Sequence, residues 1–324
     1  MSHATRGSRS LSIAAVVTGV VLSLTGPAAA AESGTVRIDN RHLIVTGTDR
    51  ADRIALRVPA ADTTVLEIDF GNDGADETVK LADFGQLLVS SLGGDDDVSI
   101  DFSTQVQPFT VVDTGAGDDV AAGGSGNELF RTGNGNDVVD GNRGADTASL
   151  GNSADEFIWD QGDGSDVIEG GPSVDRMTFN GFANAEKFAA TADGQRLRFT
   201  RDLGSIVMDT NDVEQVDLNV LGGADTTTID DLRGTDVRRI NVDLAGPDGN
   251  GDGATDAVTV TGTARRDRVL VSGSDGTVNV NGVRPRVRIT HAEPADQLTV
   301  DTRDGDDVVN SRRLAPGTIG LAIV

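Results

Sequence analysis

The chain has 324 residues, and its 27 Lys+Arg against 52 Asp+Glu give a formal charge of −25. A surface this acidic repels phosphate backbones and anionic lipid, so nucleic acid and insertion of the mature chain into a membrane are set aside; divalent cations are the natural partner. Cysteine is absent and histidine occurs only at His3, His42 and His291, which removes disulfides, thiolate metal sites and imidazole-based zinc or haem sites. The acids are 43 Asp and 9 Glu, alongside 41 Gly and no Tyr. Asp is a turn residue and a short oxygen ligand whereas Glu favours helices, so the composition describes a chain full of turns and short of helix.

Residues 1–31 read as a secretory signal. Arg6 and Arg9 precede a mostly apolar run from Leu11 to Gly26, and Ala28 to Ala31 offer small residues before Glu32. The expected destination is the extracellular space, where calcium is plentiful. Residues 32–113 form an N-terminal β-rich flank in which apolar residues alternate with period two, as in Leu43-Ile-Val45 and Ile54-Ala-Leu56-Arg-Val58. Within it, Asp69-x-Gly71-x-Asp73-Gly74, with Glu77 at position nine, is a faint copy of a calcium loop. Gly94 and Asp96 make a Gly-x-Asp turn.

From Thr114 the sequence divides into nine-residue units: TGAGDDVAA, GGSGNELFR, TGNGNDVVD and GNRGADTAS, then Leu150 as an extra residue, GNSADEFIW, an extra Asp160, QGDGSDVIE and GGPSVDRMT, ending at Thr178. The sixth slot is acidic seven times in seven: Asp119, Glu128, Asp137, Asp146, Glu156, Asp166 and Asp175. Glycine fills the second slot at Gly115, Gly124, Gly133, Gly162 and Gly171, and the fourth at Gly117, Gly126, Gly135, Gly144 and Gly164. Such glycines permit a left-handed backbone and close approach of one turn to the next. The eighth slot is always apolar (Ala121, Phe130, Val139, Ala148, Ile158, Ile168, Met177). A tight turn followed by a short strand makes half a coil, so two units make one turn of a solenoid, and acids 18 apart lie above one another. Two carboxylates about 5 Å apart repel by roughly 3 kcal/mol at an effective dielectric near 20, which calls for a cation. A hard ion taking six to eight oxygens fits calcium.

Residues 179–324 form a C-terminal β-rich region with Gly/Asp turns at Gly223/Asp225 and Gly305/Asp307. Their simplest role is to close the turn. The best helical candidate is short, over 183–190 (ANAEKFAA). Asp248-Gly-Asn250-Gly-Asp252-Gly253, with Asp256 at position nine, has the spacing of a calcium loop, but Thr259 stands where an EF-hand has its bidentate Glu. The stretch VTGTDRADRI (45–54) resembles VTGTARRDRV (260–269).

The units of 114–178 resemble the hemolysin-type calcium-binding nonapeptide repeat of the RTX (repeats-in-toxin) family. Looser likenesses, such as WDQGDGSDVIEG and LGGADT, extend to secreted bacterial calcium-binding proteins built on the same repeat. The resemblance implies calcium held between stacked coils by the slot-six Asp carboxylates and by loop carbonyls, here Asp119, Asp137, Asp146, Asp166 and Asp175. Glu128 and Glu156 would serve with a side chain one methylene longer. The expected fold is therefore all-β: a parallel β-roll or β-solenoid of nonapeptide repeats over 114–178, flanked by further β-rich coils or small sheets.

The expected function is that of a secreted calcium-binding repeat protein with several Ca2+ per chain coupled to folding, in a structural, cell-surface or matrix role and without enzymatic activity. Calcium is the one partner the sequence specifies; a cell-surface or matrix partner is left unidentified. No G-x-S-x-G, H-E-x-x-H or P-loop sequence is present. The alternative is a calcium-dependent polysaccharide lyase or hydrolase on a parallel β-helix, which two Lys, one Trp and no Tyr do little to support.

Overall fold

The structure, a computed structural model, describes residues 34–71, 73–103 and 105–324. The expected signal over 1–31 lies outside the described residues. Among the described residues, no helix is long and apolar enough to cross a membrane.

The chain is all-β. Two mostly parallel sheets of 14 strands each run the length of the molecule. Successive segments alternate between the sheets, as the nonapeptide spacing demands. Val120–Ala122, Val138–Asp140 and Glu156–Trp159 stack in parallel in one sheet. Glu128–Arg131, Thr147–Ser149 and Val167–Glu169 stack in the other. Each strand sends alternate residues into the space between the sheets. Ala121, Phe130, Val139, Ala148, Ile168 and Met177 are all fully buried there. Further along, Trp159 stacks on Phe179 at 4.0 Å between ring centroids, with Phe188 and Phe199 packed around them.

The array is continuous with its flanks. Phe109–Asp113 pairs in register with both Gln86–Ser90 and Glu128–Arg131, and Arg176–Asn180 pairs with Gln215–Asn219. Besides the antiparallel hairpin of Thr35–Asp39 and His42–Thr46, three antiparallel meanders are inserted into the mostly parallel sheets. They comprise Arg53–Arg57, Val65–Phe70 and Glu77–Lys80; Lys187–Asp193, Arg196–Arg201 and Ile206–Asn211; and Arg268–Ser274, Thr277–Asn281 and Arg286–Thr290. The likeness of 45–54 to 260–269 has a structural counterpart, because each leads into the first strand of a meander. The helix expected over 183–190 is absent. Glu186 ends a turn and Lys187–Asp193 is a strand, with Phe188 and Ala190 buried and Gly194 turning the chain back. Pairing on both sides of that strand outweighs a weak helical propensity.

The register of the fifth repeat differs from the sequence reading. Val138 pairs with Glu156 and Val139 with Phe157, so Phe157, not Ile158, occupies the inward eighth slot. Spacing of nine runs unbroken through Asp155. The two extra residues are Trp159 and Asp160 together, rather than Leu150 and Asp160 separately. They lengthen the next two repeats of the ladder to 20 residues.

The tightest turns need glycine. At Gly135, φ is +134°, and a Cβ there would lie 1.7 Å from the Gly117 carbonyl oxygen of the coil below. Gly135→Ala combines left-handed strain with a backbone overlap that cannot relax, and is expected to cost about 3 kcal/mol or more in a urea titration. Gly194→Ala, at φ +65° with nothing within 4 Å, should cost only the strain.

Candidate metal centres along the carboxylate ladders

The slot-six acids stand at the end of each turn, just before the strand. Their backbone N–H groups and side chains join adjacent coils. In the turns that enter the sheet of Val120–Ala122, the amides of Asp52, Asp96, Asp119, Asp137, Asp155 and Asp175 each donate to the carboxylate of the next acid along the solenoid, at 2.8–2.9 Å. The series ends on Glu214. On the opposite edge, the Glu128 amide donates to Asp146 and the Asp146 amide to Asp166, at 2.7 and 2.9 Å. Gln107 caps this ladder by donating its side-chain amide to Glu128 Oε1 at 2.6 Å. A third ladder runs Glu186, Asp225, Asp256, Asp296, and a fourth joins Asp267 to Asp307.

One carboxylate oxygen is thus used between coils. The fate of the other depends on the turn. In Asp296 it accepts the Glu293 amide of its own loop. The four acids that begin the ladders, which take no ladder amide, likewise accept amides of their own loops: Thr48 to Asp52, Gly124 to Glu128, Phe182 to Glu186 and Thr263 to Asp267. In the Gly-rich turns it has no partner. Oδ2 of Asp96, Asp119, Asp137, Asp146, Asp155, Asp166, Asp175, Asp225 and Asp256 is buried and without a hydrogen bond. An unsatisfied buried carboxylate oxygen is costly, and is stabilised either by taking up a proton or by facing a cation.

Burial is the main cause of the perturbed acidity. It pushes Asp96, Asp137, Asp175 and Asp256 up to about 6, Asp155, Asp166 and Glu128 to about 7, Asp225 to about 8 and Asp146 to about 9. Asp119 and Asp296 are raised as well, again chiefly by burial. The ladder amides oppose the shift, as do the nearby hydroxyls of Ser91, Thr114 and Thr132 at Asp96, Asp119 and Asp137, although these hydroxyls donate to backbone carbonyls rather than to Oδ2. Neighbouring carboxylates add to it, as Glu128 and Asp166 do at Asp146.

Asp119, Glu128, Asp137, Asp146, Asp166 and Asp175 all lie on the ladders. Glu156 does not: it is one residue too far, accepts a bond from the Thr178 hydroxyl, and yields its place to Asp155. Gly115, Gly117, Gly133, Gly135, Gly144 and Gly162 take left-handed conformations. Gly124, Gly126 and Gly164 lie outside that region; Gly126 instead donates to Gln107, and the Gly164 carbonyl accepts the Trp159 indole N–H.

The loop at 248–256 does not close on one centre. Asp248 is exposed and accepts the Asn250 amide, a local turn whose hydrogen bond holds the Asp248 carboxyl below its ordinary value. Asp252 accepts the Gly223 amide, and Asp256 belongs to the third ladder. Asp225, Asp296, Asp52, Asp96, Glu186 and Glu214 were missed as ladder members. The Gly-x-Asp turns carried the signal at Asp96, Asp225 and Asp307.

Among the described residues, one group of three acids can offer one oxygen each within 4.8 Å of one another: Asp69, near the end of Val65–Phe70, with Asp73 and Asp76 in the turn that leads to Glu77–Lys80. Asp76, rather than Glu77, completes the faint loop, because Glu77 has already entered the strand and is exposed. This arrangement can hold a metal ion.

Comparison with known proteins adds no relative: no family model and no curated protein matches the chain.

Proposed function

We propose that this chain is a secreted calcium-binding solenoid of the RTX type, in which several Ca2+ ions neutralise the carboxylate ladders and are coupled to folding. The observation that carries the reading is the row of buried, unpartnered Oδ2 atoms repeated from coil to coil. Hard oxygen donors in that number suit calcium better than a softer metal. Exposed acids of the fifth slot, Asp95 and Asp118, run beside the first ladder, where the Asp118 amide donates to Asp95 at 3.0 Å, and offer further oxygens. Calcium would supply positive charge; the chain supplies fixed carboxylates and a strand register that keeps them aligned. The expected setting is a structural role outside the cell, consistent with the signal-like residues 1–31.

The test is a pair of isosteric variants in a calcium titration calorimeter. Asp155→Asn keeps the acceptor for the Asp137 amide but removes the charge, and is expected to abolish one site. Glu156→Gln, one residue along and off the ladder, should leave the count unchanged. An Asp155→Asn protein with the full complement of sites contradicts the proposal.

A further inference from the structure

The net charge conceals a division along the solenoid. Residues 34–232 carry 38 acids and 13 bases, whereas residues 233–324 carry 13 acids and 12 bases. Many of the latter bases are arginines on the outer face of the sheet that contains Val120–Ala122. Strand pairing places Arg239 directly beside Arg286, and Asn241 beside Arg288. Arg288 in turn faces Asn279, Asn279 faces Ser272, and Ser272 faces Arg313. Arg239, Arg286, Arg288 and Arg313 are exposed. None of them makes an ion pair or side-chain hydrogen bond.

This arrangement is unfavourable for the protein alone. Adjacent strands lie about 4.8 Å apart and alternate residues about 6.6 Å, so three guanidinium groups issue from about 30 Å² of sheet with no acid among them. Like charges directly opposite on a sheet are destabilising. Elsewhere the chain pairs such residues: Arg53 with Asp97 at 3.1 Å, Arg176 with Asp217 at 3.2 Å, and Arg196 with Glu169 at 2.7 Å. The two acids bordering the patch are already engaged. Asp217 is held by Arg176 and by Asn241 at 2.5 Å, and Asp243 faces His291 Nδ1 at 2.5 Å.

We propose that this face binds an acidic polysaccharide, with Arg239, Arg286, Arg288 and Arg313 pairing its carboxylate or sulfate groups and Asn279 meeting its hydroxyls. Guanidinium forks suit both anions. The face spans about 19 Å across five strands, a flat and regular platform for an extended chain bearing one charge every residue or two. Duplex DNA, with a charge every 1.7 Å or so, would extend over the acidic remainder of the molecule. Among the described residues, the one exposed Phe, Tyr or Trp is Phe109, on the other sheet, so the face offers a bilayer no aromatic anchor.

The full secreted chain, loaded with calcium, is titrated by calorimetry with polygalacturonate and separately with heparin, with duplex DNA and phosphatidylserine vesicles as comparisons. Binding to one or both glycans, weakened at least tenfold in Arg286→Ser/Arg288→Ser with an unchanged calcium count, is expected. The two glycans distinguish carboxylate from sulfate recognition. The double variant should also melt no lower than the parent, because it relieves repulsion. Glycan binding that survives in the double variant would be calcium bridging and would overturn the proposal, as would binding of DNA or vesicles in preference to either glycan, or no binding at all.

Discussion

Removing calcium from the purified chain with a chelator is expected to lower its melting temperature by tens of degrees or unfold it outright. A ligand bound only by the folded state stabilises it by about 2.7 kcal/mol per site at a hundred times its dissociation constant. For a chain of this size that is about 4 °C for each site, and the ladders repeat the same carboxylate over many coils. The opposing terms are large. Nine buried oxygens lack a partner, and the net charge of −25 resists compaction. Thermal melts followed by circular dichroism, in chelator and in millimolar calcium, measure the difference. Magnesium should restore little, because it demands a smaller, rigid octahedron.

The second large effect is on pH dependence, and its sign is opposite to that of ordinary acid denaturation. The ladder acids have folded values of about 6 to 9, above the unfolded value near 4, so the metal-free folded state holds more protons than the unfolded one. This contribution to stability is fully present below about pH 4 and is lost as pH rises through 6 to 9. Each net proton is worth about 1.4 kcal/mol per pH unit. In chelator the chain should therefore melt higher at pH 5 than at pH 8. In calcium the trend should flatten or invert, since protons and calcium compete for the same oxygens and binding releases protons. Melts at both pH values, with and without calcium, give the four numbers required. A chelated chain that is more stable at pH 8 than at pH 5 would show that the ladder carboxylates are charged and otherwise satisfied.

Much of the architecture was legible because local spacing and global stacking agree. A turn of five residues, an acid and a three-residue strand leave the chain few options, so period nine in the sequence becomes the rise of one coil for every two units. The failure at Glu156 has a definite cause. Placing the insertion at Leu150 kept an acid in slot six but moved Phe157, the residue that fills the interior beside Val139, out of slot eight. An unbroken spacing from Asp119 to Asp155 would have satisfied both slots. The flanking ladder members were harder to see. Asp52 meets Asp96 across 44 residues, Asp175 meets Glu214 across 39, and Asp256 meets Asp296 across 40, because a meander or a long loop separates the coils. No fixed period survives such insertions. The arginine face was out of reach for the same reason, since Arg239 and Arg286 become neighbours only through strand pairing.

The orphaned oxygens distinguish two states of the same ladder, one filled by protons and one by cations, and the choice between them is a matter of counting. Equilibrium dialysis of the purified chain against millimolar calcium at pH 7.5 tests it most directly. The ladders predict several ions per chain, falling at pH 5 as protons take their place. Fewer than two ions at pH 7.5 would contradict the account and leave the carboxylates as a purely hydrogen-bonded spine.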